Sequence, residues 1–148
     1  MTRMNPGDIP KRYRDQTENN RPPVKSNGRA ELVIPGQLPA LNEIIQASKT
    51  HWSQYSKLKK KYSDLIEDIT VIHRTPFFRE LELDITYYCR DRRKDPDNIA
   101  AGKKFILDGL VAAGVIKDDG WKCVKGFNER WQVDKENPRV EVVLKDVG

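Results

Sequence analysis

Asp91 to Lys122 reads DRRKDPDNIAAGKKFILDGLVAAGVIKDDGWK, one amphipathic helix bracketed by two acidic pairs, Asp95/Asp97 and Asp118/Asp119. The helix is expected from about Asn98 to Ala112, with Ile99, Ile106, Leu107, Leu110 and Val111 on one side. Gly114 follows as a suitable C′ residue. Pro96 fixes its own φ and turns Asp95 away from the helical region, so the chain is locally extended there. Asp95 and Asp97 then project to the same side and can share a cation. Hard divalent ions such as Mg²⁺ are held by a few carboxylates plus water and substrate phosphate. Each piece also has a plain structural use. Asp97 or Asn98 suits an N-cap, and Asp118-Asp119-Gly120 suits a loop into a strand.

Upstream of this stretch, Leu81, Leu83, Ile85, Tyr87 and Cys89 alternate with Glu82, Asp84, Thr86, Tyr88 and Arg90. That period of two describes a strand with one covered face, delivering the chain into Arg92-Arg93-Lys94-Asp95. Before it, Tyr55, Leu58, Tyr62, Leu65, Ile66, Ile69 and Ile72 recur every three or four residues, a helix from about Ser53 to Ile72. A short strand, Glu31 to Ile34, stops at Pro35-Gly36. Downstream, Cys123, Phe127, Trp131 and Val133 suggest a strand from about Lys122 to Asp134. Asn137-Pro138 makes a turn, and Val140, Val142 and Leu144 form a final strand expected to pair with it as a hairpin. The order β-α-β-α-β-β implies an α+β domain, a single mixed sheet with two helices. With the connecting helix running back along the sheet, Asp95, Asp97 and Asp119 are expected at a common rim, where their repulsion calls for cations.

The chain has 148 residues, 37% of them hydrophobic, and a formal net charge of +5. One small domain is expected over residues 30–148. Residues 1–29 are polar and aperiodic and read as a flexible basic tail. They hold seven Lys/Arg against three acids, so from the chain's 27 and 22 the remainder keeps twenty against nineteen. Basicity in the folded part is therefore a matter of clustering. Arg90, Arg92, Arg93 and Lys94 surround the first aspartates, while Lys103, Lys104, Lys117 and Lys122 frame the second pair. Lys57 and Lys59 to Lys61 form a further run, which also reads as a solvated helix face. Such clusters concentrate phosphate and make binding salt-dependent. Cys89 and Cys123 lack metal-binding spacing and read as reduced, buried thiols, and His51 and His73 as isolated surface residues. No apolar run can span a membrane and the N-terminus lacks a signal-peptide core, so a cytoplasmic protein is expected.

The stretch resembles the RusA-type Holliday junction resolvases, on Asp95, Asp97 and Asn98, then Asp108, then Ala113-Gly114-Val115-Ile116, then Asp118 and Asp119. A fainter likeness lies in IPGQLPALNE, Ile34 to Glu43, and the whole covers roughly residues 31–145. The resemblance implies that Asp95, Asp97 and Asp119 bind Mg²⁺, for which Mn²⁺ can substitute, and that a helical lysine is needed for cleavage. It also implies a homodimer acting on branched DNA. Between Asn98 and Asp108 this chain carries about one helical turn more than the family pattern. Counting back from Asp108 places the lysine at Lys104, with Lys103 as the alternative. Asp118 either orients a water or caps its loop. Arg90, Arg92, Arg93, Lys94, Lys103, Lys117 and Lys122 are the expected DNA contacts. The competing readings are a non-catalytic nucleic-acid-binding protein and a metal-dependent nuclease for flaps or other branched DNA.

Overall fold

In the computed structural model, which describes residues 21–148, the alternating segment becomes the strand β2, Leu81–Cys89, with every odd position buried. The other elements are β1 (Arg29–Pro35), α1 (Leu41–Thr50), α2 (Trp52–Ile72), α3 (Pro96–Ala100), α4 (Lys103–Ala112), β3 (Val124–Val133) and β4 (Arg139–Asp146). They form one α+β unit, a four-stranded mixed sheet in the order β1-β4-β2-β3. Helices cover the face carrying Leu83, Ile85, Tyr87, Val142 and Leu144, which join Ile66, Ile106 and Leu110 in the core. Among the described residues, no helix is long and apolar enough to cross a membrane.

The expected hairpin of β3 with β4 does not form. β4 inserts between β1 and β2, antiparallel to both, while β3 lies outside β2 and parallel to it. The side chains explain this order. β4 has buried Val140, Val142 and Leu144 and fits an interior position, whereas the core-side row of β3 is Phe127, Glu129, Trp131 and Val133, apolar but broken by a charge. The connection 134–138 crosses the end of β2, where the Asp134 N–H donates to the Cys89 carbonyl at 2.8 Å. Two inter-strand spacings are about 10 Å, well within reach of five residues. Arg139 closes the crossing with a 2.7 Å bond to Asp134 and stacks 3.8 Å over the Tyr88 ring.

There are four helical segments where two were expected. Leu41–Thr50, where no element was expected, is helical without burying any residue. The expected helix over 98–112 is broken at Ala101-Gly102. Gly102 sits against the segment after β1. A Cβ there would lie 2.7 Å from Leu38 Cβ and 3.1 Å from the Pro39 carbonyl oxygen. Gly109 likewise allows α4 to touch α2, since its Cβ would come within 2.6 Å of Ile66 Cδ1.

The N-terminal reading is corrected over its described part, and residues 1–20 lie outside the described residues. The Arg21 guanidinium donates to the carbonyls of Ala113 at 2.8 Å and Thr75 at 2.8 Å, and to Thr70 Oγ1 at 2.9 Å. It satisfies backbone acceptors where α2 and α4 end, the role cations fill at helix C-termini. The Phe77 N–H donates to the Pro22 carbonyl and the Val24 N–H to that of Phe77, both at 2.8 Å, so the segment before β1 is docked.

Candidate metal and nucleic-acid site

Both crossings of the helical layer run the same way. β1 and β2 rise to what we call the upper end of the sheet, and α2, α3 and α4 return the chain to the lower end. At the upper end β2 leaves into Arg90-Asp91-Arg92-Arg93-Lys94, whose residues are all exposed. The Arg90 N–H donates to Gln37 Oε1 at 2.8 Å and the Arg93 N–H to Asp91 Oδ1 at 3.0 Å, which sets the turn. Lys94 pairs with Glu43 of α1. Asp95 then takes the N-cap position of α3 with φ −72° and ψ 153°, the extended backbone that Pro96 demands.

The N-cap expected at Asp97 or Asn98 falls instead on Asp95, because the helix already begins at Pro96. At the N-cap of α3, Asp95 makes no side-chain capping bond. Asp97 Oδ1 accepts only the adjacent Asn98 N–H, at 2.9 Å, and both carboxylates are exposed on one turn. Asn98 points back, its Oδ1 accepting the Asn42 N–H at 3.3 Å, so the two halves of the sequence resemblance are joined in space. Beside Asp95 a groove of about 290 Å³ is lined by Lys94, Pro96, Ile99, Trp131 and Val133. Burial, then the neighbouring Asp91, push the Cys89 thiol at its base upward, with Lys94 opposing, so it stays protonated.

Asp119 is not there. The loop 117–122 precedes β3, and β3 is parallel to β2, so the loop lies at the lower end, where the Leu81 N–H donates to the Cys123 carbonyl at 2.8 Å. The nine residues of β2, at about 3.3 Å each, set roughly 25 Å between Asp119 and the Asp95/Asp97 turn. The expected common rim within one chain is thus overturned. A helix that runs back along a sheet delivers the chain to the end from which the previous strand started. Among the described residues, no three His, Cys, Asp or Glu side chains gather closely enough to hold a metal ion. Asp118 caps its loop, Oδ1 accepting the Gly120 N–H at 2.8 Å. Lys117 and Lys122 share this lower end, separate from Arg90, Arg92, Arg93 and Lys94.

The two lysines part company. Lys104 lies 3.5 Å from Asp108, which Lys59 of α2 also approaches at 3.9 Å, so it belongs to the contact between α2 and α4. Lys103 turns toward β3, bonded to Glu129 at 2.9 Å with its ammonium 4.2 Å over the Phe127 ring. Glu129 also accepts the Tyr87 hydroxyl at 2.8 Å, and Tyr87 stacks on Trp131 in the groove wall. Burial, and then that bond to Glu129, hold the Tyr87 phenol well above its ordinary range. Of the two, Lys103 stands on the β3 side of α4 and Lys104 on the α2 side. The network of Tyr87, Glu129 and Lys103 has little signature in the sequence. Its one trace there is a glutamate in the apolar row of a strand.

β3 leaves its outer edge open. On its core side Phe127 is 42% exposed, Trp131 38% and Val133 46%. The chain matches no protein-family model and no curated protein.

Proposed function

We propose that this protein is a Mg²⁺-dependent endonuclease of the RusA type, hydrolysing phosphodiester bonds in four-way DNA junctions as a homodimer. The observation that carries the reading is the upper-end turn. Asp95 and Asp97 stand exposed on one short segment among Arg90, Arg92, Arg93 and Lys94, and Asp95 forgoes the capping bond its position offers. Two carboxylates from one chain are a sparse donor set for a hard cation. A second copy completes it. β3 is an open edge with apolar residues left uncovered, a surface that natural sheets pair or protect. Pairing β3 antiparallel with its own copy about a twofold axis sets the Val124 end of one strand against the Val133 end of the other. The Asp119 loop of each copy then adjoins the Asp95/Asp97 turn of its partner, giving two sites for the two equivalent strands that are cut in a junction.

The donor oxygens of Asp95, Asp97 and the partner's Asp119 suit Mg²⁺, or Mn²⁺ in its place, which when bound acidifies water and neutralises phosphate charge. Arg92, Arg93 and Lys94 grip the strand through its phosphates. Lys103, oriented toward β3 by Glu129, would supply positive charge for the charge that develops on phosphorus.

The test is a side-by-side cleavage assay on a labelled four-way junction, a flap and a plain duplex, with and without Mg²⁺, alongside calorimetric Mg²⁺ titration of the wild type and Asp97→Asn. Paired junction nicks that require Mg²⁺, with the binding heat lost in Asp97→Asn, are expected. Preferential flap cutting would reassign the substrate. The absence of three gathered metal donors among the described residues of one chain favours a second reading, a non-catalytic DNA-binding protein. DNA binding without Mg²⁺ heat or cleavage would establish it.

A further inference from the structure

The most exposed large apolar side chain among the described residues is Trp121, at 95%, with Trp52 next at 80%. Single apolar residues on a surface are ordinary, but Trp121 is presented by a turn built to hold it. The N–H groups of Cys123 and Val124 both donate to the Gly120 carbonyl, at 3.2 and 3.0 Å. Lys125 Nζ donates to the Trp121 carbonyl at 3.0 Å, and the Asp118 side chain ties the other flank at 2.8 Å. Cys123 is buried beneath, so the turn is anchored while the indole points outward. Exposed Lys117, Asp119 and Lys122 stand around it.

We propose that Trp121 is a base-stacking residue that engages an unpaired or splayed base at the branch point of the DNA. The step rests on the nuclease reading for the kind of DNA, since Trp121 lies two residues from Asp119 and would stand beside the cleaved strand. An indole carried on an anchored turn offers any base a π-face without reading its edge, and lysines beside it meet the phosphates. A continuous duplex hides its base faces in the stack. A branch exposes them, so the residue contributes selectivity for branched or single-stranded DNA over duplex.

The experiment measures binding of the full chain, in the presence of a chelator, to a four-way junction, a single-stranded oligonucleotide and a duplex, each carrying 2-aminopurine. Wild type, Trp121→Ala and Trp121→Phe are compared, with melting curves and sedimentation on each. Trp121→Ala is expected to weaken junction and single-strand binding on the order of 10- to 100-fold, to leave duplex binding and the oligomeric state unchanged, and to lose the 2-aminopurine quenching. Trp121→Phe should restore most of both. Equal loss on duplex, or no loss at all, overturns the proposal. So does dissociation of the dimer in Trp121→Ala, which would make the indole a subunit contact. Should Trp121-dependent binding occur without Mg²⁺-dependent cleavage, the nuclease reading fails and the stacking role stands. Junction cleavage by the wild type together with unchanged binding by Trp121→Ala removes the stacking role and leaves the nuclease reading in place. No DNA binding by wild type sinks both.

Discussion

The two ends of the sheet carry similar chemistry, an aspartate pair among basic residues, yet they are built differently. The upper pair lies where the extended Asp95 enters the first turn of α3, held by side-chain bonds from Gln37 and Asn98 and flanked by a groove. The lower pair is split by role: Asp118 is spent on capping its own loop, and Asp119 is exposed beside Trp121. Below that loop, Arg21 binds the ends of two helices together. Parallel pairing of β2 with β3 keeps the ends roughly 25 Å apart, so no movement of side chains can unite them in one chain. Neither end gathers three metal donors among the described residues, and in the proposed dimer the two ends meet between chains.

The largest effect expected from this separation is all or none. Asp95→Asn and Asp119→Asn should each abolish cleavage as pure proteins while leaving junction binding intact or tighter, because negative charge is lost and phosphate contacts are kept. Mixed and allowed to exchange subunits, the two variants should regain cleavage, since one site of each mixed dimer combines the intact Asp95 of one copy with the intact Asp119 of the other. A site built within one chain gives no activity in that mixture, and such a result would undo the comparison.

Next comes the pair of lysines at the start of α4. Lys103→Ala should slow cleavage by on the order of 100-fold, the scale for losing one preorganised donor, with Lys103→Arg recovering part of it. Lys104→Ala, whose side chain meets Asp108 on the side of α2, should stay within a few-fold. The reverse order in single-turnover rates would move the site to the other face of the helix.

The smallest effect concerns how the lower end is held. Arg21→Ala removes the cation from the carbonyls of Thr75 and Ala113 and from the buried Thr70 hydroxyl. The loss should cost about 3 kcal/mol, given partly buried acceptors left without a charged donor. Thermal melting reads it directly. Truncation after residue 20 keeps these contacts, so a much larger drop on further truncation to residue 28 is the companion result. Equal melting temperatures for the two truncations would show that the docked segment contributes nothing.

Much of the fold was legible because it is local. The odd-position apolar row of Leu81 to Cys89 can be satisfied only by a strand with one buried face, and the three- and four-residue spacing from Tyr55 to Ile72 only by a helix. Asp95-Pro96 likewise dictates an extended N-cap, because the clash before proline lies between adjacent residues. Arg21 gave no such signal, since its partners at Thr70, Thr75 and Ala113 are distant in sequence. The break at Gly102 was equally silent, being set by Leu38 and Pro39 arriving from another part of the chain.

By itself, then, the sequence determined the four strands, the long helix α2, the buried rows of β2 and β4 and the extended Asp95 before Pro96, all governed by sterics and periodicity within a few residues. Tertiary structure decided which strands are neighbours, that β4 rather than β3 takes the interior position, which of Lys103 and Lys104 faces β3, and that Asp119 stands a strand's length from Asp95 and Asp97. Those outcomes depend on hydrogen-bonded pairing and core packing between residues far apart in the chain, and a local pattern of side chains is compatible with more than one such pairing.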